Sequence, residues 1–253
     1  MAEQRLWING KEGTDGLLPD EGLFFGRGVF ETIRVGQSPW FLPEHVARLN
    51  HGAAALGLAR RVESEILSRF VSDNGLHDCA LRVSLTAENL IVAARPVPYT
   101  QADREAGIRV TLGVGRRNPY DPLVGLKTMS YAGNVLEREQ AAKAGCREAI
   151  LLNTEGCLAE GSATNLFFVR NGVVCTPEAA CGLLPGIVRM FVLSEMTVEE
   201  GAYGLESLLA ADEVFVTNSL MGVMGVRELA GHAHWSVGPI ARQLQTLYDR
   251  LCK

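Results

Sequence analysis

Three stretches of the chain hold residue types whose spacing could do chemistry: Lys127 just before a helical pattern, Glu160 opening EGSATNLFFV, and the LPGIVR turn that ends at Arg189. Lys127 stands among Val124, Leu126, Met129 and Tyr131, an apolar setting in which an ammonium is costly and its proton is given up more easily. A lysine made neutral in this way is what a Schiff base needs, because only the free amine attacks an aldehyde. Glu160 precedes small residues and then NLFFV, which predicts a sheet edge or strand start with the carboxylate directed inward. A buried carboxylate demands a partner. Arginine is one; a protonated heteroaromatic nitrogen is the other, and it would hold the positive charge that makes a pyridine ring an electron sink. In LPGIVR a glycine turn opens a helix, where the backbone N–H groups of Ile187 and Val188 and the helix dipole favour an anion. In other settings the same turn is only a cap. Together the three stretches describe a site for one aromatic, phosphorylated aldehyde.

The elements that must position these groups follow from local pattern. Asn9-Gly10 between apolar stretches predicts a two-residue hairpin turn at the start. LFFGRGVFETIRV reads as a buried strand through Phe25, Val29, Phe30, Ile33 and Val35, with Gly26 and Gly28 letting the backbone approach something closely. Pro43 opens a helix whose Val46, Leu49, Ala53 and Leu56 share a face, with Arg48 beside it. A second helix is predicted over 62–73. CALRVSLT and LIVAARPV form an antiparallel hairpin about Glu88-Asn89, and IRVTLGV a further strand before a polar segment at about 115–124. Beyond Lys127 come a helix over 132–144, the strands EAILLN and NLFFVR, an Asn171-Gly172 hairpin into VVCTP, and a helix from Pro185-Gly186 to about Met196. A short helix over 205–210, the strand EVFVT and a terminal helix with Ile240, Leu244, Leu247 and Leu251 on one stripe complete the order.

Composition narrows the partners. The chain has 253 residues, 47% hydrophobic and 21% charged, and a formal net charge of −5, which leaves no basic footprint for nucleic acid. No run approaches the ~18 apolar residues of a membrane span, and the first residues lack a signal-peptide core, so a cytoplasmic location is expected. The six cysteines lack a CxxC pair and read as reduced, mostly buried thiols. His232 and His234 form an H-x-H pair without accompanying ligands, so no metal site is expected. There is no GxGxxG after a strand and no regular βαβα alternation, which argues against a nicotinamide fold.

In order and across nearly the whole chain, FETIRV, HVARL, LKTMSYAGNVL, EAILLN, AEGSATNLFFV, LPGIVR and ADEVFVTNSLMGV resemble the fold-type IV pyridoxal-phosphate enzymes. That family contains branched-chain aminotransferases, D-amino-acid aminotransferases and 4-amino-4-deoxychorismate lyases. The resemblance implies pyridoxal 5'-phosphate as cofactor, bonded through its aldehyde to Lys127, which would also act as acid and base. Glu160 would pair with the ring nitrogen. Arg48, the Ile187 and Val188 amides and Ser219 would bind phosphate. Val188 stands where the family often has threonine, so here the backbone N–H would bind without a hydroxyl beside it. Asn165 would order the glutamate loop.

The resemblance also implies an α/β (α+β) fold of two domains with the cofactor in the cleft between them: a smaller N-terminal α/β domain over 1–115, a linker over 116–122, and a larger C-terminal sheet or pseudo-barrel domain with helices over 123–253. A homodimer acting on a small molecule is expected, with neither nucleic acid nor membrane as partner. Within the family, TNSLMGV and RRNPYDPLVGLK look like the aminodeoxychorismate lyases, which release pyruvate and form 4-aminobenzoate for folate synthesis. GNVLERE is similar to the D-amino-acid aminotransferases. The hairpin TAEN lacks the arginine that transaminases place there, and also the glycine-arginine segment common in lyases, leaving Arg34, Arg82 and Arg116 as carboxylate ligands. The alternatives are a class IV aminotransferase acting on D-amino or branched-chain amino acids, and a catalytically silent binding protein of the same fold.

Overall fold

The computed structural model describes residues 4–251, and its contacts divide into two units. One takes in the described residues up to Pro98 together with Leu126–Tyr131; the other takes in Tyr99–Gly125 and Ala132–Leu251. The division differs from a boundary near residue 115 because strand pairing assigns the segments. The strand Ile108–Arg117 pairs within the second unit and contains the first two residues of the expected linker. Lys127 and Thr128, by contrast, pair with a strand of the first unit.

The first unit runs β1 (Arg5–Ile8), β2 (Lys11–Glu12), α1 (Glu21–Phe25), β3 (Val29–Val35), α2 (Leu42–Ala55), α3 (Ser64–Asp73), β4 (Cys79–Leu85) and β5 (Leu90–Pro96). Among the described residues its sheet is five-stranded and antiparallel, in the order β2-β1-β5-β4-β3. Asn9 and Gly10 take φ of 50° and 83°, as the expected two-residue turn requires. One sheet face, with Val29, Ile33, Val35, Leu81, Val83 and Val92, packs against Leu42, Val46, Leu49, Leu67 and Val71 of α2 and α3. Strand alternation therefore puts Phe30, Thr32, Arg34, Arg82, Ser84 and Arg95 on the other face. The stretch 23–25 is helix, not buried strand. Asp20 caps α1 by accepting from Leu23 N–H, Gly26 ends it at φ 70°, and Phe25 is 77% exposed.

The second unit runs α4 (Gln101–Ala106), β6 (Ile108–Arg117), α5 (Ala132–Lys143), β7 (Glu148–Asn153), β8 (Leu158–Gly161), β9 (Asn165–Arg170), β10 (Val173–Pro177), α6 (Ile187–Glu195), β11 (Val198–Gly201), α7 (Leu205–Leu209), β12 (Glu213–Asn218), β13 (Gly222–Leu229), β14 (Ala233–His234) and α8 (Pro239–Leu251). Its strands form a mixed sheet ordered β11-β10-β9-β12-β13-β6-β7-β8, with β14 on β13, curled as a half-barrel. A bulge in β6 between Leu112 and Arg116 is pinned from α5, where the Glu137 carboxylate accepts Val114 N–H at 3.1 Å and Gly115 N–H at 2.7 Å. The buried residues of α8 are Ala241, Leu244, Gln245 and Tyr248; of the expected stripe Leu244 is buried, Ile240 and Leu247 are half-buried, and Leu251 is exposed. The α8 N-terminus is anchored by Glu213, which accepts from Ile240 and Ala241 N–H. Cys79, Cys146, Cys175 and Cys181 are buried free thiols, and Cys252 lies outside the described residues. Among the described residues no helix is long and apolar enough to cross a membrane.

Candidate functional site

Lys127 and Arg48 belong to the first unit. Phe30 N–H donates to the Lys127 carbonyl at 2.9 Å and Met129 N–H to Gly28 O at 2.8 Å, so the lysine segment runs along the edge strand β3. This segment is what Gly26 and Gly28 admit: a Cβ would stand 2.7 Å from Ser130 Oγ at Gly26 and 2.6 Å from Met129 Sδ at Gly28. The half-buried Lys127 holds Nζ 4.6 Å from the Phe30 ring centre and 5.5 Å from that of Tyr131, the two rings meeting edge to face. Arg82 lays its guanidinium 3.7 Å from the same Phe30 centre. Burial lowers the proton affinity of Arg82; Tyr131 opposes that and the nearby Arg95 adds to it. Arg34 shares this face and stacks on Trp40 at 5.3 Å, whereas Arg116 is in the second unit and donates to the Gly113 and Gly115 carbonyls.

Arg48 projects from α2 to Glu31, on the helix-covered side of β3. Its Nε and Nη2 reach the two Glu31 oxygens at 2.6 and 2.8 Å, and His45 Nδ1 lies 2.7 Å from Oε2. Glu31 and His45 are each 1% exposed. Burial alone would push the Glu31 carboxyl up; Arg48 and His45 outweigh it and hold it at about 2. This triad escaped the sequence reading, although a carboxylate at an inward strand position and His45 three residues before Arg48 on one helix face were visible signals.

Glu160, Ile187, Val188 and Ser219 belong to the second unit. Glu160 lies on β8, at the sheet's end, and is 4% exposed, as its context predicted. Of the two partners considered for it, the structure supplies the arginine: Arg117 ion-pairs with Oε1, while Oε2 accepts Leu184 N–H at 3.0 Å. A carboxylate has further acceptor positions on both oxygens. Asn134 links the surroundings, accepting from Arg117 and donating to the Ser162 carbonyl at 2.7 Å. Ser162 and Ala163 N–H also donate to the buried Glu148, whose carboxyl is pushed up by burial against those donors.

The helix start is where LPGIVR placed it, at Ile187. Gly186 caps α6 without a side-chain acceptor for the first-turn N–H groups. A Cβ on Gly186 would stand 2.0 Å from Asn165 Oδ1, and Asn165 Nδ2 donates to Leu184 O at 2.8 Å. Asn165 and Glu160 thus grip Leu184 from its two sides, so Asn165 orders the turn before α6. Thr217 pairs with Asn165 across β12 and β9, which puts the half-buried Ser219, two residues on, at the same sheet end as Gly186. Arg189 turns away to Pro177 O and Glu200 and is structural. His232 and His234 are exposed, and among the described residues no group of His, Cys, Asp and Glu could hold a metal.

Residues 28–229 match the family described as amino-transferase class IV. A Methanocaldococcus jannaschii protein assigned as a branched-chain-amino-acid aminotransferase is 31% identical, the match covering 95% of this chain and 94% of that one. The aminodeoxychorismate lyase of Bacillus subtilis is 27% identical over 98% of this chain and 94% of its own. A branched-chain amino acid aminotransferase from T.th., solved with pyridoxamine 5'-phosphate, superposes with a TM-score of 0.85 at 27% identity over 97% of this chain and 93% of that one.

Proposed function

The chain belongs to the class IV aminotransferase family, enzymes that use pyridoxal 5'-phosphate, and within it we propose that the protein is a 4-amino-4-deoxychorismate lyase. Its residues fit the cofactor: a half-buried lysine against aromatic rings, a buried carboxylate, and a helix start whose cap supplies no side-chain acceptor. In this reading Lys127 bonds the aldehyde, Glu160 meets the ring nitrogen, and Arg48, the Ile187 and Val188 amides and Ser219 hold the phosphate. When bound, the cofactor supplies an electron sink for the pair left by a departing proton.

The observation that carries the lyase reading is the Phe30 wall, where an amine and a guanidinium share one flat aromatic surface. Such a wall suits a cyclic acid: Arg82 takes a carboxylate, and Lys127 takes the proton from the carbon bearing the substrate's nitrogen. The C–O bond to the enolpyruvyl group breaks, and the electron pair completes the ring of 4-aminobenzoate. The departing enolate takes up a proton and leaves as pyruvate. The short β4–β5 connection counts against the aminotransferase substrates: Asp20 accepts from Glu88 N–H and Asn89 Nδ2, closing a tip that has no arginine.

Incubating the holoenzyme with aminodeoxychorismate should release pyruvate and 4-aminobenzoate together, and Lys127→Ala should lose both along with the visible absorbance of the bound cofactor. The second reading, an aminotransferase for branched-chain or D-amino acids, is favoured by the Methanocaldococcus relative. It replaces the first if an amino donor converts the cofactor stoichiometrically to its amine form while no aminobenzoate appears. The reading also takes the protein as a homodimer, with Leu17, Leu18, Leu23, Phe24 and Phe25 as exposed apolar surface.

A further inference from the structure

Arginines in the small sheet unit differ in what they meet. Arg5, Arg27 and Arg48 each hold a glutamate. Arg82 and Arg95 do not: among the described residues neither forms an ion pair, Arg82 Nε reaching only Ser84 Oγ at 3.3 Å and Arg95 Nη1 only the carbonyl of Pro96 at 3.4 Å. Register brings the two together. Arg82 pairs with Ala93 and Arg95 with Ala80, so they are diagonal neighbours on the Phe30 face of β4 and β5. Diagonal positions lie roughly 7–8 Å apart, within reach of long side chains. Ala80 pairs with Arg34 on its other side and leaves the row open to the flanking arginines. Two like charges on neighbouring positions repel, and among the described residues no carboxylate pairs with either. The natural complement is an anion from outside the chain, and a planar carboxylate matches the guanidinium fork.

We propose that Arg95, acting with Arg82, binds a second carboxylate of the substrate on the Phe30 face and so selects two-carboxylate substrates over amino acids with one. The inference rests on the reading that this face, beside Lys127, receives substrate. No sequence motif singles Arg95 out, because it becomes a neighbour of Arg82 only through the pairing of β4 with β5.

The test is equilibrium binding to the holoenzyme by titration calorimetry, with glutarate as the two-carboxylate probe and butyrate as the one-carboxylate probe. In Arg95→Gln the affinity for glutarate should fall about 10- to 100-fold, the range for a hydrogen bond to a charged group, and that for butyrate should hold. Arg95→Lys, which keeps the charge, should fall between wild type and Arg95→Gln. Glutarate binding to wild type should weaken as salt rises more than butyrate binding does. Unchanged glutarate affinity in Arg95→Gln, or equal losses for both probes, overturns the proposal. Because these titrations involve no turnover, a wild type that forms no aminobenzoate would remove the lyase reading and leave this result standing on its own.

Discussion

Replacing Glu31 by Gln should destabilise the protein by about 3 kcal/mol at pH 7, and the effect should vanish in acid. The carboxyl drops from 4.5 in the unfolded chain to about 2 in the fold, and at 1.36 kcal/mol per pKa unit that drop corresponds to about 3 kcal/mol. Because the folded value is the lower one, the stabilisation is present in full above about pH 4.5 and is lost as pH falls toward 2. The size agrees with the roughly 3–5 kcal/mol cost of leaving one partner of a buried ion pair behind, here Arg48 and His45. The assay is urea unfolding of wild type and variant from pH 7 down to pH 3. With a slope of roughly 1–3 kcal/mol/M, the midpoint at pH 7 should move by about 1 M or more, and by pH 3, still above the folded value of about 2, the gap should shrink to less than half. A difference under about 1 kcal/mol at pH 7, or one that persists unchanged in acid, would refute the account of Glu31 as a charge held by Arg48 and His45.

Gly186→Ala should cost about 1–3 kcal/mol, because its Cβ would stand 2.0 Å from Asn165 Oδ1 and displace the grip on Leu184. The same variant should bind pyridoxal 5'-phosphate more weakly while pyridoxal, which lacks the phosphate, is unaffected; equal losses for both would separate this helix start from phosphate binding. Phe24→Ser with Phe25→Ser removes apolar side chains that are 67% and 77% exposed, so sedimentation equilibrium should show a wild-type dimer shifting toward monomer. An unchanged association constant would separate this patch from the proposed dimer, and a wild type that sediments as a monomer would remove the dimer.

Much of the fold was legible because it follows from short-range rules. Asn9-Gly10 needed two positive φ values, Pro43 and Gly186 opened helices, and the β4–β5 hairpin alternated over a short turn. The burial of Glu160 followed from the apolar strand beside it. The stretch at Phe25 misled because a short apolar run suits strand or helix alike, and only the Asp20 cap and the left-handed Gly26 decide for helix.

By itself, then, the sequence determined most of the elements, the burial of Glu160, the helix start after Gly186 and the family to which they point. Tertiary structure alone decided the partners: Glu31 for Arg48, Arg117 for Glu160, Leu184 between Glu160 and Asn165, and Arg95 beside Arg82. The hydrogen-bonded partners among these lie between 17 and 43 positions apart. Their meeting depends on strand register and helix packing, where a slip of one residue turns a side chain to the opposite face.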